Sequence, residues 1–285
     1  MTFAMKEFNA SKGFTLVELA IVLTIIGLLI GGILKGQELM ENSRVTATIA
    51  QVKSYSAAVT SFRDMYQALP GDMPTAGRRL VGCPGTNGAA CNPLAGAANA
   101  GNKIIGRANW AAGATWAAPG VTTTTGTTAA TNVDSEKYLF WSHLLLSNLI
   151  GGVTDEGLNT ATAFRFGRTH PEAKIGGGFI VGYGVGRRGP GSLQPVNTGI
   201  AGTILAHVVN PAAALPTAAG ANALSPPRAA QIDRKMDDGR PGTGYVQAFG
   251  RGASCFTTAT AGATQYRYNE RLSTKDCGLL YRIEG

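Results

Sequence analysis

KGFTLVELAIVLTIIGLLIGGIL, residues 12–34, decides the fold of this chain. Within residues 14–34 every side chain except that of Glu18 is apolar, small or a hydroxyl. These 21 residues would form a helix of about 30 Å, which matches the hydrocarbon thickness of a bilayer. Lys12 and Lys35 flank the run, and no small-x-small cleavage pattern of a secretory signal peptide follows it. The sequence therefore predicts a retained membrane helix.

Glu18 needs a partner, because a carboxylate inside a membrane segment is energetically expensive. If the chain is cut between Gly13 and Phe14, Phe14 gains a free α-amine one helical turn from Glu18. Between two neighbouring helices offset along their axes, Glu18 of one subunit would neutralise the Phe14 amine of the next. Such pairing would favour an assembly over lone subunits. The alternative is that Glu18 lies near the interface and its side chain extends to water.

A short signature surrounds this cut: Gly13, Phe14, Thr15, Leu16, Val17 and Glu18. With it, and with the polar leader MTFAMKEFNASKG, the chain resembles the type IV pilin and pseudopilin family from residue 1 to about residue 70. The resemblance implies cleavage after Gly13 by a prepilin peptidase, N-methylation of Phe14, and assembly into a helical filament through the N-terminal helices. Family members often carry a proline in the apolar half, where this sequence has four glycines instead: Gly27, Gly31, Gly32 and Gly36.

The four glycines admit two interpretations. Their four-residue spacing would let neighbouring helices approach closely. Equally, they would be weak points at which the helix unwinds.

An amphipathic continuation of the helix follows in residues 35–66. Its apolar stripe recurs at steps of three and four residues, with Ser56 in one slot: Val45, Ile49, Val52, Val59, Phe62 and Tyr66. Leu69-Pro70-Gly71 would end the helix. Because the stripe needs a packing partner, we expect a β-sheet against it.

The remaining sequence supplies that sheet. SEKYLFWSHLLLSNLIG (135–151) predicts a helix, capped by Asp134 or Ser135 and ended by Gly151, in which His143 is a packed side chain. A second helix should begin at Ser225-Pro226-Pro227. Four segments rich in β-branched, leucine and aromatic residues predict antiparallel strands: GFIVGYGV (178–185), GTILAHVV (202–209), GYVQAFG (244–250) and LLYRIE (279–284).

The predicted class is therefore α+β, with the pilin fold that the resemblance implies: a long N-terminal helix packed on an antiparallel sheet with large loop insertions. Along the chain we expect a leader (1–13), a membrane or filament-core half of the helix (14–35), its amphipathic half (36–69) and an exported head (70–285). Glycine accounts for 39 of 285 residues, which indicates much loop in that head. The low-complexity stretch TTTTGTTAAT (122–131) is predicted to be an exposed loop.

Four cysteines in an exported chain favour disulfides, with three connectivities open. The sequence-local one pairs Cys83 with Cys91 and Cys255 with Cys277. The second of these bonds would tie down the C-terminal segment, as in many pilins.

The formal charge of +8 would allow the head to meet nucleic acid, anionic lipid or acidic polysaccharide. The local basic pairs, Arg78-Arg79 and Arg187-Arg188, are interpreted as solvated loop charges, because the sequence contains no long basic run and no nucleic-acid-binding motif.

QIDRKMDDGRPGTGYV (231–246) gathers Asp233, Asp237 and Asp238 in a chain with few carboxylates. Calcium takes several oxygen ligands, and some pseudopilins bind it in a C-terminal loop, so the resemblance raises the case for calcium here. The spacing is not that of an EF-hand. The alternative is a helix end that turns through Asp-Asp-Gly, with the carboxylates capping nearby amides.

No catalytic motif is present, and the three histidines, His143, His170 and His207, are isolated in sequence. Gly184, Gly186 and Gly189 match G-x-G-x-x-G, but Pro190-Gly191 follows where a dinucleotide site needs a helix. We therefore expect neither an enzyme nor a cofactor other than calcium.

The sequence predicts a structural subunit of a type IV pilus-like filament, held in the cytoplasmic membrane as a prepilin and then part of a cell-surface filament. Implied partners are further copies or other pilins, prepilin peptidase, a membrane assembly platform with its ATPase, and membrane lipid before assembly. The alternatives are a type II secretion pseudopilin, and a minor pilin acting as a tip adhesin or DNA receptor that binds surface glycans or nucleic acid. An enzyme anchored by one helix would not need Glu18 five residues after Gly13.

Overall fold

The structure, a computed structural model, describes residues 13, 15–83, 90–93, 100–106, 135–154, 164–185, 200–211, 220–250, 252–258 and 266–283. By its contacts the chain divides into two compact units, Met1–Ser43 and Arg44–Gly285. Helix α1, Leu16–Tyr66, begins in the first unit and ends in the second.

The first unit consists, in its described part, of Gly13, Thr15 and α1 as far as Ser43, and most of it is the apolar run. Its large side chains are exposed, with Leu16 at 86% and Leu28 at 78% of their full accessible surface. Among the described residues, α1 is the only helix long and apolar enough to cross a membrane. Lys35 ends the apolar run and forms an ion pair with Glu38 at 2.7 Å, one turn further along the helix.

In the second unit, α1 buries one face. The predicted stripe is confirmed at Val45, Ile49, Val52, Val59 and Phe62, while Tyr66 is half-buried. The slot that we assigned to Ser56 is filled by Tyr55 instead. Ser56 is only half-buried, because a step of three residues from Val52 brings Tyr55 onto the buried face.

The second unit contains a four-stranded antiparallel sheet, which confirms the predicted α+β class. Its strands lie in the order β1-β2-β6-β3: β1 Gly178–Val185, β2 Ala201–Val208, β6 Cys277–Arg282 and β3 Val246–Gly250. All four predicted strands are present, with ends that shift by up to two residues. A two-stranded sheet, β4 Phe256–Thr258 with β5 Tyr266–Tyr268, was not predicted because three-residue strands leave no periodic signal.

Four shorter helices complete the described part: α2 Ala76–Arg79, α3 Ser135–Leu146, α4 Pro226–Met236 and α5 Gly252–Cys255. The predicted helix 135–151 was too long by five residues, and Gly151 does not end it. After Leu146 the chain reaches Asn148, whose φ of 56° takes the left-handed conformation that stops the helix.

Alternating side chains of the sheet face two hydrophobic clusters, as the period of two requires. One cluster combines the buried stripe of α1 with Phe179, Val181, Leu205, Leu279 and Tyr281. The other holds the opposite face, including Ile180, Ile204, Phe249 and Leu280. The sheet therefore packs on the second half of α1, as the sequence predicted.

Tyr55 is the centre of the aromatic contacts between helix and sheet. Its ring meets Trp141 of α3 edge-on at 5.3 Å and Phe179 of β1 at 5.7 Å, both between ring centroids. Tyr55 thus joins α1 to both α3 and the sheet.

We expect Tyr55→Ala to destabilise the second unit by about 3–5 kcal/mol, since it leaves a cavity between α1, Trp141 and Phe179. Urea unfolding of the full chain in detergent micelles, followed by tryptophan fluorescence, measures the change. The matched control is Ser54→Ala on the exposed face of the same turn, which should change stability by less than about 0.5 kcal/mol. Equal effects of the two variants would contradict this account of the core.

Candidate functional site

Thr15 and Glu18 form a closed pair at the start of α1. The Thr15 backbone N–H and hydroxyl both donate to Glu18 Oε2, at 2.9 Å and 2.8 Å. In return, the Glu18 backbone N–H donates to Thr15 Oγ1 at 3.2 Å. This reciprocal arrangement is a capping box, in which Thr15 is the N-cap and Glu18 the third helical residue.

The capping box gives Glu18 a role within its own chain. The first backbone N–H groups of a helix have no intrahelical acceptor, and a carboxylate is favoured at this end of the helix dipole. From the sequence we considered the Phe14 amine and interfacial water as partners of Glu18, and missed Thr15, three residues away. The signal was present, since T-x-x-E before an apolar run is the pattern of a capping box.

The proposed cut lies just outside this box. Gly13 is exposed and non-helical, and Phe14 lies outside the described residues. Cleavage after Gly13, N-methylation of Phe14 and its pairing with Glu18 therefore stay predictions. Because Thr15 and Glu18 both follow the cut, the mature chain would keep the residues that start α1.

Gly27, Gly31 and Gly32 of the apolar run, and Gly36 just after it, all lie within α1. A Cβ added to Gly27, Gly31, Gly32 or Gly36 would meet no atom within 4 Å. The space beside them is open to a neighbouring molecule.

A second candidate site joins α4 to the loop that follows it. One carboxylate oxygen from each of Asp233, Asp237 and Asp238 lies within 4.8 Å of the others. Asp233 is buried, Asp237 half-buried and Asp238 exposed. The structure thus brings together the three residues that the sequence singled out for calcium.

Protein donors already occupy the carboxylates of the two loop aspartates. Asp237 Oδ2 accepts the backbone N–H of Tyr245 and, at 3.0 Å, that of Val246. Asp238 accepts the Arg240 N–H at 2.9 Å through Oδ1 and the Thr243 hydroxyl through Oδ2. These bonds fit the capping alternative, and calcium binding at the cluster stays a prediction.

Asp233 is also satisfied by the protein. Its Oδ1 accepts the Gly239 N–H at 3.1 Å, and its Oδ2 accepts the Tyr268 hydroxyl at 2.7 Å. Burial raises the pKa of Asp233 to about 7 despite these two bonds, and the nearby charges of Asp238 and Asp237 raise it further. Asp233 therefore links α4 to the turn and to β5. Because its pKa is raised, its carboxyl group loses its proton at a higher pH than an ordinary aspartate.

The four cysteines form two disulfides with the sequence-local connectivity, Cys83–Cys91 and Cys255–Cys277. The second joins α5 to the first residue of β6. Each bond therefore closes a short loop of the second unit.

All three histidines are buried, and burial lowers the pKa of His143 and His207 to about 4 and that of His170 to about 3. His143 is the packed side chain that we predicted. Its Nδ1 accepts the Gly71 N–H and its Nε2–H donates to the Cys91 carbonyl, each at 2.8 Å.

Of the two basic pairs, only Arg78-Arg79 is described. Arg79 donates to the carbonyl of Tyr66, the last residue of α1, at 2.7 Å, and its guanidinium lies 5.4 Å from the centre of the Tyr66 ring. Arg78 and Arg79 are exposed, as our interpretation requires, but they lie in α2 and not in a loop. Arg79 also caps α1, because the carbonyls of the last helical turn lack intrahelical donors. Arg187-Arg188, the stretch 122–131, Gly186 and Gly189 lie outside the described residues.

Comparison with known families adds one finding. Residues 8–34 match the family model of the prokaryotic N-terminal methylation motif, the type IV prepilin signature, which confirms the resemblance drawn from GFTLVE. Neither curated proteins nor solved structures gave a match. The match covers the end of the leader and the apolar run, so the interpretation of residues 35–285 rests on their sequence and structure alone.

The raised pKa of Asp233 predicts a pH dependence of stability. Between pH about 4 and 7 the folded state keeps a proton that the unfolded state has lost, so stability falls as pH rises through this range and is level above it. The three histidines have the opposite effect on stability. Because their pKa values are lowered in the folded state, the unfolded state binds more protons as pH drops below about 6.5, and stability falls. The two effects are separated by comparing variants at each pH.

Asp233→Asn imitates the protonated acid and removes only the first effect. We expect the stability of Asp233→Asn relative to wild type to grow from pH 4 to pH 7 and to stay constant from pH 7 to pH 9. Urea unfolding at each pH measures this difference. Ser54→Ala, which alters an exposed side chain on α1 that does not titrate, serves as the control and should give a level difference. A level difference for Asp233→Asn would contradict the assignment.

Proposed function

We propose that this chain is a structural subunit of a type IV pilus-like filament, made as a prepilin and assembled through its N-terminal helix. The observation that carries the proposal is the match of residues 8–34 to the prepilin signature, on a helix whose apolar side chains are exposed in the single chain. The motif supports a pilin-like or pseudopilin-like protein. The filament, and the place of this subunit in it, are our inference.

Processing is the first proposed step. A prepilin peptidase cuts between Gly13 and Phe14 and removes the polar leader, and Phe14 is N-methylated. The new α-amine then precedes Thr15, the N-cap of α1, by one residue. Since the capping box contains no leader residue, the helix start is the same before and after the cut.

Assembly is the second step. In the cytoplasmic membrane, lipid covers the apolar run of α1. In the filament, neighbouring helices cover it instead, and the open space at the glycines suits close helix contacts. A membrane assembly platform with its ATPase would supply the work of extraction. The final location is then the cell surface, with copies of this chain or other pilins as neighbours.

Glu18 has two successive partners in this scheme. In the lone chain it accepts from Thr15, and in the filament it lies near the Phe14 amine of a neighbour. A carboxylate has about four acceptor positions, so it keeps the cap while it pairs with the amine. The charge of Glu18 therefore stays compensated at each stage.

The head is proposed to set the surface properties of the filament, without enzymatic activity. Its described residues show a packed α+β unit with buried histidines and two disulfides. The pseudopilin and the minor pilin are the competing assignments, and nucleic acid or glycan binding belongs to the second of them.

The test of the proposal is electron microscopy of sheared surface filaments, together with mass spectrometry of the subunit's N-terminus. We expect filaments made of this chain, beginning at methylated Phe14. A cleaved chain that is rare or absent in surface filaments would instead indicate a minor pilin or pseudopilin. A chain that still begins at Met1 in cells with active peptidase would overturn the proposal.

Substitutions at Glu18 separate its charge from its capping role. Glu18→Gln keeps an acceptor for the capping box but removes the charge, while Glu18→Ala removes both. We expect both to reduce filament abundance by roughly tenfold or more, because the lost charge pair would be missing at each added subunit. Immunoblots of sheared filaments and of the membrane fraction measure the ratio of assembled to unassembled subunit.

The controls are two changes of a threonine hydroxyl. Thr15→Val weakens the capping box and leaves the charge, so it should reduce assembly less than Glu18→Gln does. Thr24→Val removes a hydroxyl that donates only to the Ile21 carbonyl of the same helix, and should leave assembly unchanged. Normal filaments from Glu18→Gln but not from Glu18→Ala would show that the cap, and not the charge pair, is what assembly needs.

A further inference from the structure

Within the second unit, described segments between α1 and α3 are joined to one another and to α3 by a small set of residues that we call the latch: Gly71, Gly77, Cys91, Asn92 and His143. It includes residues from the turn after α1, from α2, from the segment 90–93 and from α3. Three hydrogen bonds join these four places. They lie directly beside the Cys83–Cys91 disulfide.

His143 is the central member of the latch. It accepts the N–H of Gly71 and donates to the carbonyl of Cys91, so a single buried ring ties the turn after α1 to the disulfide loop. The ring also stacks on Phe62 of α1, with the planes 15° apart. Gly71 has a φ of 86°, and a Cβ there would collide with the Glu136 carbonyl, so the turn sits tightly against α3.

The disulfide loop is held at a second point. Asn92 Oδ1 accepts the N–H of Gly77 in α2 at 2.8 Å. Cys83 packs close to the same short helix, with its sulfur 3.9 Å from the Ala76 carbonyl. Cys83 and Asn92 thus both contact α2, and the bond from Cys83 to Cys91 holds these two contacts together.

The two disulfides differ in how well a reductant can approach them. Cys91, Cys255 and Cys277 are each completely buried, whereas Cys83 is half-buried. A thiolate must reach one sulfur of a disulfide to attack it. Of the four cysteines, only Cys83 leaves part of its residue surface open to a reductant in the folded chain.

We propose that the Cys83–Cys91 disulfide is a redox-sensitive fastening of the latch, which a dithiol can open while the sheet and the Cys255–Cys277 bond stay intact. The thiolate of the dithiol attacks Cys83 Sγ, and Cys91 leaves as a thiolate and takes up a proton. The second thiol of the reductant then breaks the mixed disulfide, releases Cys83 as a thiol and closes a cyclic disulfide. Two electrons and two protons pass to the protein.

Opening follows from the position of Cys91. With the bond intact, its backbone is held where its carbonyl accepts from His143 and where Asn92 reaches Gly77. Once the bond is broken, the covalent ring that links Cys83 to Cys91 is open, and the chain entropy that favours release of Cys91 and Asn92 rises. The inference concerns the second unit alone and does not depend on the proposed filament.

The experiment treats the full-length chain in detergent micelles with graded dithiothreitol at neutral pH, under native conditions. Free thiols are trapped with N-ethylmaleimide and located by mass spectrometry. We expect Cys83 and Cys91 to be labelled at reductant concentrations at which Cys255 and Cys277 are not. Hydrogen exchange resolved to single amides should then speed up roughly tenfold at Gly71 and Gly77, while β6 amides stay protected.

Two variants keep the test independent of the reductant. The double variant Cys83→Ser with Cys91→Ser should reproduce the fast exchange at Gly71 and Gly77 without dithiothreitol. Asn92→Ala, with its disulfide intact, should raise exchange at Gly77 alone. Simultaneous reduction of both disulfides, reduction of neither before unfolding, or reduction of Cys83–Cys91 without faster exchange at Gly71 and Gly77 would each overturn the inference.

Discussion

The constraint on which this chain depends is an apolar helix surface that it does not cover itself. Between Leu16 and Leu34 the large side chains of α1 are exposed in the single chain. Water disfavours such a surface by about 25 cal/mol for each Å², so it must lie in lipid or against other helices. Any function of the chain has to provide one of these environments.

In its second half the same helix has an apolar face that its own chain does cover. From Val45 to Phe62 one face is buried, and Tyr55 links α1 to both α3 and the sheet. One element therefore carries a surface for an outside partner and a surface for its own core. The charged and polar side chains between them, such as Lys35 and Glu38, are exposed and hydrophilic, which suits a water-facing stretch.

The sequence was a good guide where one physical signal dominated. The helix through Tyr66 follows from apolar periodicity, which a long element repeats many times. The four main strands follow from their content of β-branched, leucine and aromatic residues, and the packed His143 from its apolar neighbours. The errors have different physical causes. Tyr55 takes the slot that we assigned to Ser56 through helix geometry and its contacts with Trp141 and Phe179, and Asn148 stops α3 ahead of Gly151 through its own left-handed backbone. The hydrogen bond from Arg79 to the Tyr66 carbonyl joins two different helices, so no local pattern predicts it. The capping box was different, because its T-x-x-E signal was local and was simply not used.

The aspartate cluster and Glu18 illustrate one rule about carboxylates in this chain. Asp237 and Asp238 accept from the turn that follows α4, Asp233 accepts from Tyr268, and Glu18 accepts from Thr15. In each case backbone or hydroxyl donors near a chain reversal or helix end take up the negative charge. A carboxylate pattern read from sequence alone therefore points to local capping as strongly as to a metal or to a partner subunit. For Glu18 the observed cap is compatible with the proposed pairing, because an amine approaching from a neighbouring helix would add a charge to a carboxylate that Thr15 has already oriented. A cap that is complete in the lone chain would thus prepare the carboxylate for that proposed pairing.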